Sequence, residues 1–254
     1  MGTLFNAKDF VEKLNDVAKN TKTIYILGCF GAPMNAKNKK RYENNNEYNK
    51  NRASMIEACT TDTFGFDCVG LVKGILWGWN KDISKTYGGA TYKANDVPDV
   101  GANTMIKLCT DVSTNFGNIK LGEFVWMDGH CGVYIGDGLA IECTPKWNNG
   151  VQTSAVLNLG NPKIMKAGRT WTKHGRLPWI DYTSNVDNVE AAHSNNTTNA
   201  SIIKYTVKRG DTLWGIAKAL LGSGTRYKEI MSLNGLKTQR ILPNQVLKIP
   251  KKGW

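Results

Sequence analysis

The chain has 254 residues, 41% of them hydrophobic, with 33 Lys and Arg against 21 Asp and Glu, a formal net charge of +12 at pH 7. That length and apolar content support a mid-sized domain with a small companion and exclude a wholly disordered chain. No apolar run approaches the roughly 18–20 residues of a membrane span, so membrane insertion is not expected. Six cysteines without a regular framework read as reduced thiols.

The opening "MGTLFNAKDFVEKLNDVAKN" reads as an amphipathic helix, with Phe5, Phe10, Val11, Leu14 and Val17 at helical spacing. It lacks the basic-then-apolar pattern of a secretory signal, so synthesis in a cytoplasm without a signal peptide is expected. The apolar run "TIYILGCFG" follows. Then comes a polar, basic insertion from about Asn35 to Arg52, longer than an ordinary connection. It reads either as a substrate-facing loop or as a plain solvated one.

Within "FGFDCVGLVKGILWGW" the apolar spacing predicts a helix over 69–79, with Leu71, Val72, Ile75, Leu76 and Trp79 on one face. "GEFVWM", "CGVYIGDGLAIEC" and "GVQTSAVLNL" alternate as strands, with "GDG" as a tight hairpin turn. A leading group of helices followed by an antiparallel sheet gives an α+β domain over residues 1–181. Residues 182–202, rich in Asn, Ser and Thr, read as a flexible linker.

Residues 203–254 form a compact β-α-α-β unit: a strand at "YTVK", a helix from Leu213 capped by Asp211 or Thr212, a second helix over 227–233, and a closing strand "QVLKIP". This unit carries 11 Lys and Arg against 2 Asp and Glu, an excess of nine out of the chain's twelve. The excess points to an anionic partner: nucleic acid, a membrane surface or an acidic wall polymer. No aromatic-and-basic recognition motif supports nucleic acid.

Cys68 is the residue with chemical promise. At the start of a helix, unpaired N–H groups and the helix dipole favour its thiolate. A nucleophilic thiolate needs a base in reach and a third group to orient that base. Of three histidines, His130 opens a strand that a sheet can aim at a helix N-terminus, and Glu142 lies across the hairpin turn. The expected register places His130 and Glu142 side by side. Each piece also has a plainer reading. Cys68 can be core, Asp67 a helix cap, His130 a structural histidine and Glu142 a surface charge. A zinc site from Cys68, His130, Cys131 and Cys143 is weighed and set aside. Adjacent strand residues point to opposite faces, and there is no CxxC pair. No metal or cofactor is expected.

"FGFDCVGLV", "GHCGVYIGDGLAIE", "LGEFVWM" and "YILGCFG" together resemble the motifs of the NlpC-type cell-wall cysteine peptidases, over most of residues 20–160. The resemblance implies a papain-like fold with Cys68 as nucleophile, His130 as general base and Glu142 as the orienting residue; Gln152 or a backbone carbonyl is the alternative for orienting His130. It implies substrate contact at Tyr25, and Asp67 beside the nucleophile is assigned to the same side of the site. Val69 replaces the family's usual serine, and the insertion lengthens the stretch from Tyr25 to Cys68. Tyr205 to Pro250 resembles the LysM module. That likeness implies binding of N-acetylglucosamine-containing glycan through Gly210, Asp211, Thr212 and Leu213 on one loop, and Asn234, Leu236 and Ile241 on another. Jointly they imply a monomeric peptidoglycan hydrolase of the bacteriophage endolysin kind, made in a host cytoplasm and acting on the wall. The expected cut is the γ-D-glutamyl–diamino acid bond, with the muramoyl–L-alanine amide as the alternative and a non-catalytic wall-binding protein as the rival.

Overall fold

The amphipathic N-terminal segment is a helix over Ala7–Asn20, capped by Asn6, whose side chain accepts from the Asp9 N–H at 2.8 Å. Phe10, Val11, Leu14 and Val17 are its buried stripe. Phe5 departs from the expected helix: it sits in a two-residue strand, paired in parallel with Ile180–Asp181. The computed structural model describes residues 5–160, 167–183, 202–208, 211–234, 236, 238–242 and 245–250. The chain divides into two units, Met1–Asp187 and Asn188–Trp254. Most of the segment read as a linker lies outside the described residues.

Besides the two-residue pair at Phe5–Asn6, the larger unit mixes helices with two sheets rather than leading with a group of helices. In the small sheet, Lys22–Tyr25 runs parallel to Thr63–Phe66, which pairs antiparallel with Phe30–Pro33. The large sheet has seven strands in the order Gly168–Arg169, Gly150–Val156, Leu139–Thr144, His130–Gly136, Phe124–Met127, Lys173–Arg176 and Thr110–Ser113. All its neighbours are antiparallel except the edge strand Gly168–Arg169.

The insertion folds instead of looping. It forms short helices over Ala36–Glu43, Glu47–Lys50 and Ala53–Glu57. Its asparagines explain this. Asn35 and Asn46 cap the first two helices. Asn49, fully buried, accepts from the Leu27 N–H at 3.0 Å and donates to the Leu27 carbonyl at 2.9 Å. Tyr42 and Ile56 complete a small core with Ile24, Ile26, Cys29, Ala32 and Met34.

The central helix, Cys68–Leu76, is buried along its whole length. It packs on the strands His130–Gly136 and Leu139–Thr144, where Leu71, Val72 and Ile75 share a core with Val133, Ile141 and Cys143. Its opposite side lies on backbone. A Cβ at Gly70 would stand 2.0 Å from the Cys29 carbonyl oxygen, and one at Gly74 2.5 Å from that of Phe30. Two glycines four residues apart thus let the helix approach a strand closely.

The smaller unit has the β-α-α-β order the sequence predicts. Ile202–Thr206 pairs antiparallel with Val246–Pro250, with helices Leu213–Leu221 and Tyr227–Leu233 between them. The Thr212 hydroxyl accepts from the Gly215 N–H at 3.0 Å, and Gly222 ends the helix at φ +82°. Leu213, Ile216, Ala217, Leu221, Ile230, Leu247 and Ile249 form its core.

Because Gly70 has no room for a methyl group, Gly70→Ala is expected to destabilise the larger unit by about 1–3 kcal/mol. A lowered denaturant midpoint with an unchanged m-value will register it.

Candidate active site

Asp67 seats the helix. Its Oδ1 accepts from the Gly70 N–H at 2.5 Å and its Oδ2 from the Gly28 N–H at 2.8 Å, while its own N–H donates to the Cys29 carbonyl at 2.8 Å. Both carboxylate oxygens are engaged with backbone and the residue is buried. The expectation that Asp67 contacts substrate therefore gives way to a cap that also clamps the 28–29 turn. Burial pushes its carboxyl up to about 6, aided by the charge of Cys68 and opposed by the two N–H donors.

Cys68 is the first residue of that helix. Its thiol is drawn down to about 5: a hydrogen bond from Cys131 is the largest cause, burial opposes it, and His130 adds a second hydrogen bond and its charge. The alternation argument put Cys131 on the face away from His130, yet both reach Cys68. Cys131 points from the sheet into the core shared with the helix. His130 opens the strand, and its ring stacks on Trp171 at 5.6 Å while reaching the thiol from the strand's end. The buried Cys131 thiol is pushed well above its ordinary value, so it stays protonated as a donor.

His130 Nε2 donates to Glu142 Oε2 at 2.7 Å, leaving Nδ1 for the thiol. The two residues are diagonal neighbours rather than side by side. Val133 pairs with Ile141, so Glu142 stands opposite Gly132, two residues beyond His130. The bare Gly132 lets the carboxylate cross. A Cβ there would lie 3.3 Å from Glu142 Cβ and 3.4 Å from the Trp171 ring. Burial pulls the His130 pKa down, but the hydrogen bonds and charges of Cys68 and Glu142 outweigh it and raise it. A lowered thiol and a raised imidazole together favour a thiolate–imidazolium pair near neutral pH.

Glu142 is fully buried and has two further donors, Arg169 Nε to Oε2 at 2.5 Å and Ser154 Oγ to Oε1 at 2.5 Å. Burial pushes its carboxyl up, but His130, Ser154 and the Arg169 charge hold it below the ordinary range. Arg169 also donates to Thr144 Oγ1 at 2.9 Å and stacks between Trp147 and Trp171. Gln152, the alternative orienting residue, is spent on the turn after Glu142, donating to the carbonyls of Thr144, Lys146 and Gly150. Ser154 lies two residues from Gln152, the cross-strand partner of Glu142, and so on the same face of the sheet. Arg169 had no sequence signal, because the two-residue strand that carries it shows no pattern.

Tyr25 ends its strand opposite Phe66, two residues before Cys68. Burial raises its pKa, and the charge of Cys68 is the next cause, so the phenol faces the site. Its ring meets Tyr48 of the insertion edge-on at 5.9 Å, with the Arg52 guanidinium over both rings. Among the described residues no cluster of three or more His, Cys, Asp or Glu is placed to hold a metal.

In the smaller unit, Gly210 lies outside the described residues. Asp211 Oδ2 accepts from the Lys208 N–H at 2.7 Å and the Tyr205 hydroxyl at 2.8 Å. Thr212 is an exposed cap, Leu213 is buried core, and Ile241 and Leu236 are half-buried against that core. Asn234 spends its amide on backbone, donating to the Ile230 and Lys248 carbonyls and accepting from the Lys248 N–H, each at 2.7 Å. Leu213 and Asn234 therefore shape the loops from within.

This smaller unit is a LysM domain: that family matches residues 205–250. The chain is similar, through this region, to N-acetylmuramoyl-L-alanine amidases of staphylococci. It is 58% identical over 45 residues, 18% of this chain and 13% of the relative, to the N-acetylmuramoyl-L-alanine amidase sle1 of Staphylococcus saprophyticus. It is 41% identical over 72 residues, 28% of this chain and 21% of the relative, to the protein of the same name from Staphylococcus epidermidis. The chain thus spans about a fifth or less of the length of these relatives.

Alkylation of Cys68 by iodoacetamide is expected to rise with a midpoint near pH 5. In His130→Ala the midpoint should move up toward the ordinary thiol value of about 8.5. Peptide mass spectrometry across a pH series reads both.

Proposed function

We propose that the chain is a peptidoglycan hydrolase that cleaves an amide bond of the stem peptide through Cys68, on the papain-like plan of NlpC-type enzymes. The observation that carries this reading is the row from Cys68 through His130 to Glu142, with a thiol drawn down to about 5. A LysM domain on the same chain supports the choice of substrate, since such domains bind peptidoglycan glycan. One module binds weakly, and its linkage to a hydrolase raises the effective concentration of wall at the site. Lysis of a host wall from within, as a bacteriophage endolysin does it, is the proposed setting.

In the proposed reaction the Cys68 thiolate adds to the scissile carbonyl, and the Cys68 backbone N–H at the helix start is the candidate donor to the oxyanion. His130, held by Glu142, gives its Nδ1 proton to the leaving amine as the C–N bond breaks, leaving a thioester on Cys68. Neutral His130 then takes a proton from water, whose oxygen attacks the thioester. Collapse returns the thiolate and the imidazolium.

The proposed bond is the one between γ-D-glutamate and the diamino acid. The second reading is the muramoyl–L-alanine amide, favoured by the name of the staphylococcal relatives. Their match lies in the LysM region, so it speaks for the wall rather than for the bond.

Digestion of purified Gram-positive sacculi, followed by mass spectrometry, separates the readings. L-Ala–D-Glu stubs left on the glycan indicate the endopeptidase, and free lactyl ends with intact stems indicate the amidase. Equal release by wild type and Cys68→Ala, or none by either, overturns the enzyme reading. The rate should rise through about pH 5 as Cys68 ionises and fall as His130 loses its proton above its ordinary pKa. In Glu142→Gln the charge that raises His130 is gone, so the alkaline limb should move to lower pH. The rate at neutral pH should drop on the order of 10²-fold.

A further inference from the structure

Two guanidinium groups flank the candidate active site, and they differ in one respect. Arg169 is matched by Glu142, whose carboxylate accepts from its Nε. Arg52 is not matched. It donates to the Tyr25 carbonyl at 3.3 Å, to the Tyr48 hydroxyl at 3.5 Å and to Asn149 Oδ1. None of these acceptors is charged, and no carboxylate pairs with Arg52 among the described residues. The three bonds leave part of its five-donor fork unspent.

Its position is fixed from several sides. The Tyr25 and Tyr48 rings lie 6.0 and 5.3 Å from the guanidinium carbon. Asn149, which accepts from Arg52, also accepts through its carbonyl from the Tyr25 N–H at 3.0 Å. Tyr25 in turn stands beside Phe66, just before the nucleophile. A half-buried, pre-positioned arginine without a carboxylate is a receptor for a planar anion, and the fork geometry suits a carboxylate.

We propose that Arg52 is a specificity-determining residue that receives the α-carboxylate of D-glutamate in the stem peptide. The inference rests on the hydrolase reading above. It deepens that reading because in a γ-linked D-glutamate the free α-carboxylate lies a short spacer from the scissile carbonyl. The lactyl group of the muramoyl–L-alanine amide carries no carboxylate at that place. The insertion would then read substrate charge while the sheet and helix perform the chemistry.

The test uses the full chain and two synthetic stem peptides, L-Ala–γ-D-Glu–L-Lys–D-Ala and its counterpart in which the D-glutamate α-carboxylate is amidated. The readout is the ratio of kcat/KM for acid over amide, which does not depend on the fraction of active protein. Wild type should favour the acid by about 10- to 100-fold, the range of one hydrogen bond to a charged group. Arg52→Gln should bring the ratio near one, and Arg52→Lys should keep part of it. A wild type without preference, or an Arg52→Gln that slows both peptides by the same factor, would make Arg52 a strut between Tyr25 and Asn149 and overturn the inference. A wild type that cleaves neither peptide while releasing Cys68-dependent products from sacculi would remove the endopeptidase reading and this inference with it. Failure in the ratio alone would leave that reading standing.

Discussion

The larger unit is organised around a fully buried carboxylate, that of Glu142. A lone ionised carboxylate in that position would cost several kcal/mol. Three donors on three different segments offset the cost: His130 on the neighbouring strand, Ser154 on the strand behind, and Arg169 on the short edge strand. Each donor carries a further consequence. His130 is fixed in tautomer and direction, Arg169 fills the gap between two tryptophans, and Gly132 must remain without a side chain under the crossing. The position of the edge strand, otherwise only two residues long, is thereby tied to the imidazole.

Asp67 offers a comparison within the same site. It is buried like Glu142, yet its carboxyl is pushed up where that of Glu142 is held down. The difference lies in the partners. Asp67 has two backbone N–H groups and a neighbouring thiolate, whereas Glu142 faces an imidazolium and a guanidinium. Dipoles next to a like charge do not compensate desolvation as two cations do. One carboxylate serves helix geometry and the other serves charge.

Legibility followed the length scale of the interactions. The LysM domain was readable almost throughout because its caps, stripe and turns are local. The central helix and the hairpin were readable from their periods. Cys68, His130 and Glu142 could be named from a resemblance and from a hairpin turn, but their diagonal register depended on Gly132, which alternation alone does not single out. The pair Gly70 and Gly74 gains its meaning, close approach to the Cys29–Phe30 backbone, only in three dimensions. The insertion was misjudged because its asparagines count as loop formers by composition. In place they cap helices and, at Asn49, substitute for a backbone partner. Arg169 and Cys131 act through long-range neighbours, and no window of sequence holds those.

Asn149 has a consequence for how this molecule can be altered. With a backbone φ of +51°, it holds Tyr25 by its carbonyl and Arg52 by its side chain, and it lies nearly a hundred residues from the insertion it secures. The surface around the nucleophile is therefore assembled from a discontinuous module: residues 35–62, the end of the first strand of the small sheet, and one turn of the large sheet. A graft of the insertion onto another scaffold would carry its helices but leave behind their anchor. Recombination that exchanges this surface between enzymes has to exchange all three pieces together.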